Sequence, residues 1–150
     1  MLFHKLTSTC LGIGYIGKGA GTVAAIACCV CWYLTWAGGF PPALISLVVT
    51  VFITLLGIWS SGIVSEIWGK DPSRVVIDEA AGMCITLLFI PVNIVHVLVG
   101  LVLFRFFDIA KPFFIKRMER LPGGWGIMLD DVLAGIYANV LLQAVVWFKI

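Results

Sequence analysis

Two pairs of adjacent carboxylates carry the chemical signal of this sequence. Asp78-Glu79 is followed by Ala80-Ala81-Gly82, and Asp130-Asp131 by Val132-Leu133-Ala134-Gly135. An acid near a helix N-terminus gains about 0.3–1 kcal/mol from the free amides and the helix dipole, which is reason enough for one acid per helix. Two in succession need more, because neighbouring helical residues point about 100° apart. One side chain can then cap the helix while the other turns into the bundle. Small residues one turn later let another backbone come close.

A third segment, Arg105-Phe106-Phe107-Asp108-Ile109-Ala110-Lys111-Pro112, spaces Arg105, Asp108 and Lys111 three residues apart, along one helix face. A plain ion ladder at a membrane surface, with Lys111 reaching outward, would explain it. Ionisable groups this close to an apolar run are expensive, however, and mark a functional site. Converging carboxylates beside Arg and Lys fit a hard divalent cation and a phosphate. Mg²⁺ takes one or two carboxylates and fills its shell with water and phosphate oxygens, while Arg offers a planar fork and Lys a point charge to the rest of the anion. Phosphoryl chemistry is the expected class.

A fourth segment, Gly12-Ile13-Gly14-Tyr15-Ile16-Gly17-Lys18-Gly19-Ala20-Gly21-Thr22, contains both G-x-G-x-x-G and G-x-x-x-x-G-K. Neither pattern has its context. Gly19 stands where a P-loop needs Ser or Thr, and no strand–helix–strand unit surrounds the dinucleotide pattern. What is left is a glycine loop running into a helix, whose amides can hold a phosphate with Lys18 and Thr22 in reach; a plain interfacial hinge is the alternative.

The elements that must position these groups are hydrophobic helices. The 150 residues are 61% hydrophobic and 12% charged, with mean hydropathy +1.10, against roughly 45–50% apolar residues in soluble domains. The expected fold is all-α, a compact polytopic membrane bundle of four to five hydrophobic helices in one domain over 1–150. Runs 19–36, 43–64 and 132–148 are long enough to cross. The stretch 79–107 is interrupted at Pro91-Val92-Asn93 and reads as a hairpin of two short helices, 79–90 and 93–107.

Charge placement orients the bundle. The connections at Gly38-Gly39-Phe40-Pro41-Pro42 and around Pro91 carry no charge, while the others hold Lys70, Arg74, Lys111, Lys116, Arg117 and Arg120. The positive-inside rule puts these, with Lys5 and Lys18, in the cytoplasm. Glu66, Asp71, Asp78, Glu79, Asp108, Glu119, Asp130 and Asp131 then fall at that same face, leaving Lys149 for the far side. The rule takes little account of acids, so a cytoplasm-facing polar site is the expected cause.

Other features carry less. A net charge of +2 and the lack of a basic stripe give no sign of nucleic acid. Cys28, Cys29 and Cys31 lie in an apolar run without a second pair or a nearby His, and read as packing residues. His4 and His96 are isolated. The apolar stretch after Lys5 is short, broken by glycine and lacks a small-x-small site, so no signal peptide is expected.

The chain resembles the phosphatidylglycerophosphatase A family from about Leu11 to Ala144. The resemblance is carried by Asp78-Glu79-x-x-Gly82, by Arg105-x-x-Asp108-x-x-Lys111-Pro112, and by Gly123-Gly124-x-Gly126-Ile127-Met128-x-Asp130-Asp131-x-x-Ala134-Gly135. It implies a Mg²⁺-dependent enzyme at the inner face of the bacterial cytoplasmic membrane that converts phosphatidylglycerophosphate to phosphatidylglycerol and phosphate. The N-terminal loop departs from the family pattern, Pro-x-Ala-Pro-Gly-Thr-x-Gly-Ser. Here Gly21 and Thr22 are kept, while both prolines and the final Gly-Ser are lost.

On these grounds Glu79, Asp108 and Asp131 are the expected metal ligands. Asp78 and Asp130 are expected as second ligands or as the base that orients water, with Asp131 also in the catalytic set. Lys18, Thr22, Arg105 and Lys111 are the expected phosphate-binding residues. Metal-assisted attack by water and a covalent aspartyl-phosphate route both fit. Three other readings compete: a phosphatase for phosphatidic acid or another lipid phosphate, a small ion- or proton-coupled transporter, and a membrane scaffold. A transporter would place polar groups through the membrane's depth, which these spans do not.

Overall fold

The computed structural model describes residues 1–37, 39, 41–70 and 72–148; the expectations for Gly38, Phe40, Asp71 and Lys149 lie outside them. The described residues form helices joined by turns and loops, with no strand among them. In chain order they form α1 (Leu2–Ser8), a 3-10 turn (Ile13–Ile16), α2 (Ala20–Trp36), α3 (Ala43–Trp68), α4 (Ile77–Leu87), α5 (Ile94–Ala110), α6 (Ile115–Met118) and α7 (Gly123–Trp147).

Helices α3 and α7 are long and apolar enough to cross a membrane. Only 22% of the most hydrophobic window of α3 is buried within the protein. Leu44, Val48, Phe52, Leu55 and Trp59 face outward, so the apolar surface of α3 suits lipid and not a soluble core. The third run expected to cross is α2, which has 17 residues.

The expected hairpin is present as α4 and α5. Leu88 to Pro91 cannot continue α4, Phe89 being turned to φ +62°. The Asn93 side chain then accepts a hydrogen bond from His96 N at 2.8 Å and starts α5. The isolated His96 therefore belongs to a helix cap. Helix α5 ends where Lys111 adopts a left-handed conformation ahead of Pro112. Lys111 is thus its cap, not a further residue on the Arg105–Asp108 face.

The last span differs most from expectation. It begins at Gly123 and not at Val132, so Asp130 and Asp131 lie two turns inside α7. Glycine weakens a helix by about 1 kcal/mol relative to Ala, which argues against a helix through Gly123-Gly124-Trp125-Gly126. Packing overrides that preference. A Cβ on Gly124 would collide with Ile58 O of α3 and lie 2.9 Å from Gly62 N, so the glycine is what lets the two spans cross in contact.

Helix α7 packs against α3, α4, α5 and α6, and α4 packs against α2, α3, α5 and α7. The main core, including Met83, Leu87, Phe104 and Leu142, fills the space between α4, α5 and α7. The Ala-Gly steps serve the crossing of α4 and α7. A Cβ on Gly135 would lie 2.6 Å from Gly82 O, and one on Gly82 would lie 2.9 Å from Asp131 O and overlap the Phe104 ring. Substitution at either residue would push the two acidic pairs apart.

Candidate active site

All nine residues singled out from the sequence line one cavity of about 380 Å³. Lys18 and Thr22 come from the glycine loop and first turn of α2, Asp78 and Glu79 from the first turn of α4, Arg105 and Asp108 from the end of α5, Lys111 from its cap, and Asp130 and Asp131 from α7. The loop bends at Gly17 and Gly19, both with positive φ, and brings Gly21 so close that a Cβ there would lie 2.5 Å from Glu79 Oε1. That contact gives the retained Gly21 a steric reason.

The carboxylates fall into two groups that share a member. One oxygen from each of Asp78, Asp130 and Asp131 lies within 4.8 Å of the others, and the same holds for Glu79, Asp108 and Asp131. Asp131 is 1% exposed and Asp78 7%. Asp78 Oδ1, Glu79 Oε2 and Asp131 Oδ2 are buried and accept no hydrogen bond among the described residues. Carboxylates this close and dry repel one another and need counter-charge. An all-oxygen set of this kind fits a hard divalent cation.

The basic residues offset part of this charge. Lys111 Nζ lies 2.7 Å from Asp130 Oδ2, 3.0 Å from Glu119 Oε1 and 3.9 Å from Asp108 Oδ1, while Arg105 pairs with Asp108 Oδ2. Lys111 therefore turns into the site instead of reaching outward. Burial works against its charge, but the hydrogen bond to Asp130, with Glu119 and Asp131 nearby, holds the ammonium above the ordinary lysine value. Lys18 is exposed at the loop.

Four contributors escaped the sequence reading of the site. Pro72, Ser73 and Val75 line the cavity, and Glu119, noted only as an acid of that face, bonds Lys111. The signal for Ser73 was its place in a short polar turn five residues ahead of Asp78. Glu119 had none, since its approach to Lys111 depends on how α6 folds back onto α7.

Deeper polar groups do not extend the site. Thr50, Ser61 and Thr86 donate to carbonyls of their own helices, and Asn139 Nδ2 donates to the Thr86 and Leu88 carbonyls at the end of α4. Among the described residues they form no chain of ionisable groups of the kind a transport path would need. Fold and site thus define an all-helical protein, two of its helices long and apolar enough to cross a membrane, with a cavity roomy enough for a phosphate and lined by acids and bases at one end of its bundle.

Comparison with known proteins makes the class specific. The sequence model of phosphatidylglycerophosphatase A matches residues 6–146, and the chain belongs to that family. A Bacteroides thetaiotaomicron protein with the provisional name phosphatidylinositol-3-phosphatase is 37% identical over 147 residues, covering 95% of this chain and 92% of that one. The phosphatidylglycerophosphatase A of Haemophilus influenzae is 38% identical over 109 residues, covering 71% of this chain and 67% of that one. The Escherichia coli protein of the same name is 37% identical over 125 residues, with 81% and 71% covered. No solved structure matches. The protein is a phosphatase of a family that acts on lipid, and the transporter and scaffold readings give way.

Proposed function

We propose that the whole chain, 1–150, forms one domain that hydrolyses the phosphomonoester of phosphatidylglycerophosphate with Mg²⁺, giving phosphatidylglycerol and phosphate. The observation that carries this reading is the single cavity that gathers five carboxylates with Arg105, Lys111 and Lys18 at the N-terminal ends of α2 and α4. Glu79, Asp108 and Asp131 would hold the cation. A cation bound there neutralises the phosphate and acidifies a bound water.

Each of the chain's own residues has a task in that reaction. Arg105, Lys111, Lys18 and Thr22 bind the phosphoryl oxygens and hold phosphorus in line with the attacking water. Asp130 is already engaged by Lys111, so Asp78 is the better placed base. It takes the water's proton as the new P–O bond forms and the bond to the headgroup oxygen breaks, and that proton then passes to the departing oxygen. A lipid held by its tails presents its phosphate at this level, beside charged loops that we place on the cytoplasmic side of a bacterial inner membrane. Lys5 and Arg74 both stack on Trp68, which groups the N-terminus with that side.

A second substrate, a phosphatidylinositol phosphate, is favoured by the Bacteroides relative, whose alignment runs almost the full length of both chains. Phosphate release by the purified protein in detergent, from that lipid, from phosphatidylglycerophosphate and from phosphatidic acid, separates the readings. Release from phosphatidylglycerophosphate alone, abolished by EDTA and restored by Mg²⁺, is the expected result. Turnover of only the inositol lipid would replace the substrate, and EDTA-resistant turnover would remove the metal from the mechanism.

A further inference from the structure

A second cavity, of about 580 Å³, lies beside the polar one and has no part in the chemistry above. Its long wall is one face of α2, where Ala24, Ala27, Cys28, Cys31 and Trp32 recur at helical spacing. Ile77, Ala80 and Cys84 of α4 form the floor, and Val49 and Ile53 of α3 the opposite wall. Although α2 and α3 are consecutive, each packs on α4 and they meet one another at most marginally. The result is an open furrow between them, with Cys31, Thr35 and Val49 exposed along it.

The furrow begins at the wall of the active-site cavity. Thr22 lines the polar cavity and Ala24 the furrow, two residues on along α2; on α4, Asp78 and Glu79 face the first while their neighbours Ile77 and Ala80 face the second. From Ala24 to Trp36 the α2 wall runs ~18 Å at 1.5 Å per residue. That is close to one leaflet of a hydrocarbon core roughly 30 Å thick. The lower end carries the edge-to-face pair Trp32 and Trp36, with ring centroids 4.6 Å apart.

The lining offers a polar ligand almost nothing. The Thr35 hydroxyl donates to Cys31 O at 2.7 Å, and the Cys28 thiol lies against Ala80 O and Cys84 Sγ. Trp32 Nε1 is buried and donates to no partner among the described residues; the rest is mostly carbon and sulfur, and the small side chains of Ala24, Ala27 and Cys28 keep the channel open. We propose that the furrow between α2 and α3 holds one acyl chain of the lipid whose phosphate enters the polar cavity. The inference rests on the lipid-phosphatase reading, and adds to it a subsite that fixes the depth and orientation of the substrate. The burial gained along the chain is released only when the whole lipid leaves, so the furrow acts on binding and not on the chemical step.

Filling the furrow tests this. Ala27→Phe and Cys31→Phe, with Val30→Phe on the outer face of α2 as control, are compared on dipalmitoyl and dihexanoyl phosphatidylglycerophosphate in mixed micelles. Each furrow variant is expected to raise KM for the long-chain lipid about tenfold, equivalent to losing one or two buried methylenes. The same variants should leave its kcat and both constants for the short-chain lipid unchanged. Equal losses on both lipids, no loss on either, or efficient cross-linking of two chains through Cys31 would overturn the proposal. If the unsubstituted protein hydrolyses neither lipid, the phosphatase reading fails by itself. The furrow is then decided by photolabelling with phosphatidic acid carrying a diazirine in one acyl chain: label on α2 and α3 at the furrow supports it, and label spread over the outer faces overturns it.

Discussion

The two acidic pairs look alike in sequence and are supported differently in space. Asp78 and Glu79 occupy the first turn of α4, where free amides and the helix dipole favour negative charge. Asp130 and Asp131 lie inside α7, out of reach of its first-turn amides, because that effect fades beyond one turn. They are held instead by tertiary partners: Lys111 bonds Asp130, and Asp131, which belongs to both carboxylate groups, is 1% exposed with one oxygen accepting from no donor among the described residues. The helix end thus favours one pair locally while tertiary partners hold the other, yet Asp78, Glu79 and Asp131 each keep a buried oxygen with no donor among the described residues, so both pairs need a positive charge brought to them.

The sharpest break of this comparison is Asp131→Asn, which removes the member common to both groups. Phosphate release is expected to fall by about a thousandfold or more, in the range of losing a major electrostatic stabiliser. Thermal unfolding in detergent should show why. Mg²⁺ should raise the melting temperature of the unsubstituted protein and not of the variant. In EDTA the variant should melt at or above the parent, having lost a buried charge. A fall of less than about tenfold would mean that the groups do not share a cation through Asp131.

Lys111→Met strips the α7 pair of its protein cation and leaves α4 untouched. A loss of about 10–100-fold is expected, the usual size for a group that orients a ligand. Its pH dependence carries a sign. Because the folded-state pKa of Lys111 is raised, its contribution is fully present below the ordinary lysine value and lost only as pH rises through the higher one. The loss caused by the variant should therefore be equal at about pH 7 and about pH 9, both below the ordinary value of about 10.4. A deficit that shrinks by pH 9 would mean that Lys111 titrates in that range.

Gly135→Val separates the pairs without touching a carboxylate. Its Cβ would sit against Gly82 O, so destabilisation of about 1–3 kcal/mol is expected from overpacking, read as a lower melting temperature. The smallest effect belongs to Gly17→Ala. Open space surrounds a Cβ there, but φ is +104°, and strain of about 1–3 kcal/mol on a surface loop should weaken phosphate binding more than it unfolds the bundle. Measuring KM against kcat checks this, since a loss confined to kcat would remove the loop from substrate binding.

Much of the site was legible from residue types. All nine selected residues reached one cavity because ionisable groups near apolar helices have few low-energy places to go, and converge on one end of the bundle. The hairpin was readable from Pro91 and Asn93, which act on their immediate neighbours. Two things were not legible for one reason. The apolar run opens only at Val132, so α7 was started too late, and the residue types allowed Lys111 either to reach outward or to bind phosphate within the site. In each case the deciding contact, Gly124 on Ile58 and Lys111 on Asp130, joins residues far apart in the chain.

The sequence by itself determined the helical, membrane-suited character of the protein and the candidates for its acidic and basic site, since hydropathy and residue chemistry are local properties. Only the tertiary structure decided that Asp131 serves both carboxylate groups, that Lys111 turns inward, and that α2 and α3 part to leave an apolar furrow beside the catalytic cavity. Those outcomes depend on which backbones can touch, and that is settled by glycine at the crossings and by packing across the bundle.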